Sequence, residues 1–515
     1  MVTGIILAGG SGTRTGWEMP KQFVEINGKP LIVYALEEFQ KSSYIDNVLI
    51  VCKKGYNEIL SNIIERYGIT KLIKIVEGGE THQQSLTNAL EFINSISKSS
   101  DDIVVIHNAN RPLVTQEIIE DSVDVCIHYG CGISALSCVD SMMYSENGIE
   151  SNVFLERSQI IRAQSPQSYK LKEIHDVYQK AKKEGIKDSY ECNLMTRYGY
   201  KIYFSKGSEN NVKLTKAEDL ILIKSLLKQK KEKENIEQRK RIQTVCKEIT
   251  DVIFDICKKN DLKCYLAYGT LLGAVREKAF IPWDWDIDLM MPMNDYKKLE
   301  EILKTELPKE YFLQTFETDR YYGLNWMKVR KNNTTCVDGR WHNIPCHNGI
   351  DVDIFQISRV PDGKIARMIW LFLYRVQWSI LESFIVEAKP ELIKKKKKKK
   401  LYNFLIKVPY NLRYYIAKKL DPIAFGRGEI TTKEVIIGTK NVYYPSEWFT
   451  ESVEVEFEKT YYAAPKEYDN YLTKRYGDYM IPPKEAARNI KKFKEVSFEY
   501  QSGKSIKPNI RKEGK

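Results

Sequence analysis

Cysteine and histidine never cluster in this chain. Its 515 residues include ten cysteines and six histidines. They form no CxxC pair and no Cys/His group at zinc-ligand spacing, which excludes the common zinc sites. No stretch after Met1 has the charge and apolar pattern of a secretory leader, so the thiols are expected to be reduced and the chain cytoplasmic. No window of about 18 uncharged apolar residues occurs, so no bilayer span is expected. The chain also lacks an internal repeat, a GxGxxG loop and a GK[ST] loop, which excludes the usual dinucleotide fold and the P-loop. A hydrophobic share of 43%, with 11% aromatic residues, is that of a globular protein, and the length implies two or three domains.

Positive charge is abundant. A net charge of +12 suits nucleic acid, an anionic membrane or phosphorylated small molecules. Lys394 to Lys400 are consecutive lysines. Before them, Met368 to Val386 is apolar and aromatic but carries Arg375 and Glu382, so it is not expected to cross a membrane. Two readings stay open: a helix lying at the inner face of a membrane with the lysines on acidic headgroups, or a core helix beside a solvated basic loop.

The first half alternates in the α/β manner. Gly4 to Ala8, Val48 to Val51 and Ile103 to Ile106 are short apolar β runs, with helical patterns at Pro30 to Phe39 and Tyr56 to Tyr67. This implies a mostly parallel, Rossmann-like sheet with ligands at the strand carboxyl ends. A strand near Lys201 to Phe204 and a helix from about Ala217 close the domain at residue 227. Residues 228–240, almost all Lys, Glu, Gln and Arg, are expected to be an exposed helical connector. Residues 241–515 form a second, α+β domain that starts with a helix over Ile242 to Cys257 and is mainly helical over about Arg367 to Leu420.

Leu7-Ala8-Gly9-Gly10-Ser11-Gly12-Thr13-Arg14 is a strand running into a Gly-rich loop, and Pro20-Lys21-Gln22-Phe23 follows. Glycines let backbone N–H groups approach a triphosphate, and Arg14 and Lys21 add fixed positive charge. The string LAGGSGTRTGWEMPKQF resembles the start of IspD-type cytidylyltransferases, those acting on methylerythritol phosphate and ribitol phosphate. The resemblance runs in order through Gly78-Gly79-Glu80 to Ser85, His107-Asn108-Ala109-Asn110-Arg111-Pro112, Gln164-Ser165-Pro166-Gln167 and Asn211-Val212-Lys213-Leu214-Thr215.

That resemblance implies a reaction of CTP with an alcohol phosphate, giving a CDP-alcohol and pyrophosphate. Arg14, Lys21 and Lys213 would be catalytic through charge on the phosphates. Leu7, Ala8, Gly9, Gly10, Gly12, Gly79, Ser85 and Asn88 would line the nucleotide pocket. Arg111 would bind substrate, as would Arg157 from a segment reaching across a homodimer. Three positions depart from the family pattern: its metal-binding aspartate is Asn108, its second-loop arginine is His82, and its threonine is Ser165. An amide binds Mg²⁺ more weakly than a carboxylate. The half is therefore either active, with metal held mainly by CTP, or a scaffold that has lost activity.

Gly269 to Asp288 reads GTLLGAVREKAFIPWDWDID. A Gly-Thr turn able to receive phosphate precedes Asp284, Asp286 and Asp288. In an extended strand such alternate residues share a face and can hold a divalent cation. Trp283 and Trp285 between them suggest a partly buried site. Further on, Gly349-Ile350-Asp351-Val352-Asp353-Ile354-Phe355 places a second alternating acid pair in a β run. These strings, with RYGDYM at Arg475 to Met480, resemble the LicD family of phosphocholine-transferase-like proteins and its polymerase-β-like nucleotidyltransferase core.

This second resemblance implies transfer of a phospho-alcohol from a CDP-alcohol to a sugar hydroxyl, releasing CMP. Asp286 and Asp288 would bind Mg²⁺ or another divalent cation. Asp353, or failing that Asp351, would complete the site or act as base. Gly269 and Thr270 would cradle the diphosphate, while Arg276, Lys328 and Arg330 would neutralise phosphate. The acceptor would be a lipid-linked or other surface glycan, such as a capsule or teichoic-type polymer, and the alcohol is expected to be ribitol. A nucleic-acid nucleotidyltransferase is the rival class; no recognisable RNA-binding module supports it, and no nucleic-acid partner is expected.

Overall fold

The computed structural model describes residues 1–10, 19–187, 190–339, 341–393, 396–425, 432–438, 442–484 and 493–498. The chain divides into two compact units, Met1–Lys233 and Glu234–Lys515. The division falls within a single 41-residue helix, Asp219–Lys259. The expected connector at 228–240 and the expected helix from Ile242 are thus one element. Lys, Glu, Gln and Arg are good helix formers, and no glycine or proline interrupts them.

The first unit is built on seven strands. Their order is Phe204–Lys206, Cys131–Ser137, Ile161–Lys170, Ile103–Asn108, Val2–Ala8, Asn47–Cys52, Leu72–Glu77. The last four are mutually parallel, while Ile161–Lys170 runs antiparallel to both its neighbours. The final strand begins at Phe204 instead of ending there as expected; it pairs with Ile133 to Ala135. Helices cover both faces. Leu31–Lys41, Asn57–Tyr67 and Gln116–Tyr129 pack Leu36, Phe39, Leu60 and Ile118 on one side. His82–Ile96 and Leu171–Lys183 pack Leu86, Leu90 and Ile174 on the other. A side chain on Gly4 would put its Cβ 2.5 Å from the Phe39 ring, so glycine there lets helix and sheet close up. The parallel arrangement brings Ala8, Cys52, Glu77 and Asn108 to one sheet edge, where ligands of such folds bind.

In the second unit the strands run Tyr265–Leu266, Ile287–Pro292, Asp351–Val360, Met327–Lys331, Tyr311–Gln314. Glu434–Ile437 pairs with the later half of Asp351–Val360, and Tyr443–Pro445 pairs with it in turn. The register sets Asp288 beside Asp353 on parallel strands. On the other side it sets Lys328 opposite Asp353 and Arg330 opposite Asp351. Helices Lys364–Ala388, Lys396–Leu405 and Tyr410–Phe425 follow. By length and mean hydropathy, 1.3, Lys364–Ala388 is long and apolar enough to cross a membrane. Half of that apolar window is buried in the domain, however, through Ile380, Leu381, Phe384 and Ile385.

Candidate active sites

In the first unit the two glycine loops meet. A Cβ on Gly9 would lie 3.5 Å from Ser85 Oγ and 3.8 Å from Gly78 Cα. Gly79 N–H donates to Ser85 Oγ at 3.0 Å, and Asn88 Nδ2 donates to the Glu77 carbonyl at 3.1 Å. Leu7 and Ala8 lead into this corner from the central strand. Lys21 begins a short 3-10 turn, and the buried Gln22 ties that turn to the loop, donating to the carbonyls of Ala8 at 2.7 Å and Gly10 at 3.1 Å. Gln22 was not singled out from sequence, because a lone glutamine has no chemical signature. Gly12 and Arg14 lie outside the described residues.

Hydrogen bonds join the remaining strings. Asn108 Nδ2 donates to Ser165 Oγ at 3.3 Å, and Asn211 Nδ2 donates to the Ser165 carbonyl at 2.8 Å. Asn110 Nδ2 donates to the Leu214 carbonyl at 2.9 Å, which steadies the segment bearing Lys213. Arg111 Nη1 donates to the Asn211 carbonyl at 2.5 Å, and burial pulls the guanidinium down to about 10. Arg111 therefore also anchors the segment of Lys213. His82 Nε2 lies 2.9 Å from Glu191 Oε1. Arg157 is exposed, beyond a two-stranded arm formed by Met142–Tyr144 and Val153–Leu155.

The second unit gathers three acids. Asp286, Asp288 and Asp353 each present an oxygen within 4.8 Å of the others. The expectation of three acids along one strand is corrected, since the strand begins at Ile287. Asp284 precedes it, with its Oδ1 accepting from Trp285 N–H at 3.0 Å. Trp285 is buried against Phe493, ring centroids 5.0 Å apart.

Gly269 and Thr270 are likewise not a free turn. They occupy the first turn of helix Tyr268–Glu277, whose leading N–H groups lack partners within the helix. Thr270 Oγ1 accepts from Asp288 N–H at 2.9 Å, so the helix start and the acid strand are locked together. A Cβ on Gly269 would fall 2.7 Å from Asp284 Oδ2, so the glycine lets the Asp284 carboxylate lie close against the helix start.

Two donors hold one oxygen of Asp353. Trp326 Nε1 and Lys328 Nζ each lie 2.7 Å from its Oδ1, leaving the other oxygen for a cation. Trp326 escaped the sequence reading, since a single tryptophan before a strand usually means core. Lys328 also reaches Asp351 Oδ2 at 2.5 Å. Arg330 donates to Asp351 Oδ1 at 2.8 Å, to the Gly349 carbonyl at 2.5 Å and to Gln314 Oε1. Only 3% exposed, Arg330 supports Asp351 and, with Lys328, lines the hollow that holds Asp286 and Asp353. Arg276 is similarly engaged, donating to the Tyr479 carbonyl at 2.9 Å and to Glu277.

Electrostatics separate these acids. Burial, then repulsion from Asp353 and Asp284, lifts Asp288 well above the usual carboxylate range. Burial also raises Asp353, against the pull of Lys328. Burial would raise Asp351 too, but Arg330 and Lys328 outweigh it and hold it below the ordinary value. Lys328 stays protonated: burial would lower it, but Asp351 and Asp353 keep it raised. Three clustered oxygens with two carboxyls pushed toward their neutral forms fit a divalent cation.

Residues 2–229 match the family model for IspD, 2-C-methyl-D-erythritol 4-phosphate cytidylyltransferase. A ribitol-5-phosphate cytidylyltransferase of Lacticaseibacillus paracasei is 39% identical over 233 residues, 45% of this chain and 99% of that protein. The chain belongs to the IspD family. A 2-C-methyl-D-erythritol 4-phosphate cytidylyltransferase of Clostridium novyi is 34% identical over 43% of this chain and 95% of its own length. The crystal structure of the 4-diphosphocytidyl-2C-methyl-D-erythritol synthase of Anaerococcus prevotii aligns at TM-score 0.39 and 22% identity, covering 44% of this chain and 96% of that one. Residues 261–411 match the LicD/FKTN/FKRP nucleotidyltransferase domain. The IspD-family half thus ends before the acid cluster, which lies within the LicD match.

Proposed function

We propose that the chain is a bifunctional enzyme that makes and then spends a CDP-alcohol. In the first half, the phosphate oxygen of ribitol 5-phosphate attacks the α-phosphorus of CTP, and pyrophosphate leaves. The ribitol assignment rests on the L. paracasei relative. Lys21 and Lys213 neutralise phosphate charge, and the Gly9, Gly79 and Ser85 corner receives the nucleotide. In the second half, a sugar hydroxyl of a glycan attacks the phosphorus bearing the alcohol, the diphosphate bond breaks and CMP departs. The observation carrying this step is the cluster of Asp286, Asp288 and Asp353 beside the start of helix Tyr268–Glu277. These acids would hold Mg²⁺ or another divalent cation, which supplies neutralisation of the phosphate charge when bound. Trp326 and Lys328 orient Asp353, and Thr270 holds the strand of Asp288.

The full chain, given CTP, Mg²⁺ and a panel of alcohol phosphates, is expected to release pyrophosphate with ribitol 5-phosphate and to form CDP-ribitol by mass spectrometry. With a glycan acceptor it then releases CMP. Asp286→Asn is expected to abolish CMP release and leave pyrophosphate release intact. Undiminished CMP release by that variant refutes the assignment.

Asn108 favours a second reading, in which the first half is a weakened scaffold for a single active transferase. Its amide stands where the family pattern has a metal-binding carboxylate. Pyrophosphate release from no alcohol phosphate in the panel, but restored by Asn108→Asp, would select that reading.

A further inference from the structure

We propose that the N-terminal half of helix Lys364–Ala388, together with helix Lys396–Leu405, forms a docking surface for an anionic phospholipid bilayer. Ile365, Met368, Ile369 and Phe372 are 71%, 65%, 54% and 64% exposed. Their spacing puts all four on one helix face. A row of large apolar side chains left in water forfeits the gain of burying them, and such patches mark interaction sites.

The same face continues through Arg375 and Ser379. These two line an open hollow of about 480 Å³ with Trp378, Lys398 and Leu401. The stripe, the hollow and the lysine-bearing helix are therefore one continuous surface. Lys398 lines the hollow, and Lys399 and Lys400 next to it on the same helix are exposed. The acid in the hollow, Glu382, accepts from Tyr402 Oη and lies 3.9 Å from Lys398 Nζ, so the surface remains net positive.

The opposite face of the helix is anchored. Trp370, Ile380, Leu381 and Phe384 are buried in the domain, so the helix lies along the surface and does not span a bilayer. An exposed apolar stripe flanked by lysines matches the acyl boundary and the anionic headgroups of a membrane. Nucleic acid would use the lysines but not the isoleucines, methionine and phenylalanine. A second copy would press the lysine-rich face against itself, which like charge opposes.

The test is flotation of the full chain with vesicles of phosphatidylglycerol and phosphatidylcholine in equal parts, and with phosphatidylcholine alone. Binding is expected to the anionic vesicles only, weakening as salt rises. Lys398→Gln/Lys399→Gln/Lys400→Gln is expected to weaken it about a hundredfold. Met368→Glu/Phe372→Glu should lower it at least tenfold. These exposed substitutions should leave the melting temperature and pyrophosphate release unchanged, which separates lost docking from lost folding. The proposal is overturned by no flotation of the wild-type chain at low salt, by flotation unaffected by both variants, or by no vesicle binding together with a dimer split by Met368→Glu/Phe372→Glu. Salt-sensitive RNA retention without vesicle binding overturns it in favour of a nucleic-acid surface. No substrate enters the assay, so its failure is distinguishable from failure of the transfer reading.

Discussion

Asp288 and Asp351 lie on neighbouring strands of one sheet, yet their surroundings drive them in opposite directions. Asp288 is raised by burial and by two acids, so at neutral pH its charge is a cost in the metal-free protein. Asp288→Asn is expected to raise the melting temperature in EDTA while abolishing CMP release; a fall in EDTA would refute this electrostatic account. Asp351 is depressed, because Arg330 and Lys328 outweigh burial. Its contribution to stability is present above the ordinary 3.8 and is lost as pH falls through the lower folded value. Lys328→Met breaks a buried ion pair and leaves acids uncompensated, at a cost of about 3–5 kcal/mol at neutral pH. Thermal unfolding across pH should show that difference shrinking as the solution is acidified and the carboxylates protonate.

Helices and strands decide which residues were readable in advance. Asp288 and Asp353 were readable because acids in short apolar β runs stand out, and parallel pairing sets the two side by side; Asp286, just before its strand, joins them in the cluster. The Gly269–Thr270 segment was misread as a turn because a glycine and a threonine before apolar residues fit both a turn and the start of a short helix. Only the bond from Asp288 N–H to Thr270 Oγ1, 18 positions apart, shows what the helix start holds. Charge on Lys328 and Arg330 was visible, but their partner Asp351 lies more than 20 positions away, so these ion pairs were not readable from the sequence. The arm of Met142–Tyr144 and Val153–Leu155 offers an element-scale test. Met143, Tyr144 and Phe154 are 52%, 53% and 55% exposed, an apolar load that favours burial against a second copy. Light scattering is expected to find a dimer in the wild-type chain and a monomer in Phe154→Glu. The monomer is also expected to lose CDP-alcohol formation, because Arg157 follows the same arm.

At the scale of the whole molecule, the boundary between the two compact units falls inside one 41-residue helix. Fusion makes chemical sense when the product of one site is the donor for the other, because both activities are then always present in equal number. It does not require the donor to pass directly between them. If CDP-alcohol is released into solution, two differently crippled chains should complement each other. Lys21→Met is expected to stop pyrophosphate release but to leave transfer from added CDP-ribitol intact, and Asp286→Asn to do the reverse. Neither variant alone should convert CTP and ribitol phosphate into modified acceptor and CMP. A mixture should do so, after a lag set by the time the free intermediate takes to accumulate, and extra Asp286→Asn chain should shorten that lag. A mixture that stays inactive although each variant retains its own half-reaction would mean that the intermediate is not exchanged through solution. The fusion would then be serving transfer between sites as well as equal supply.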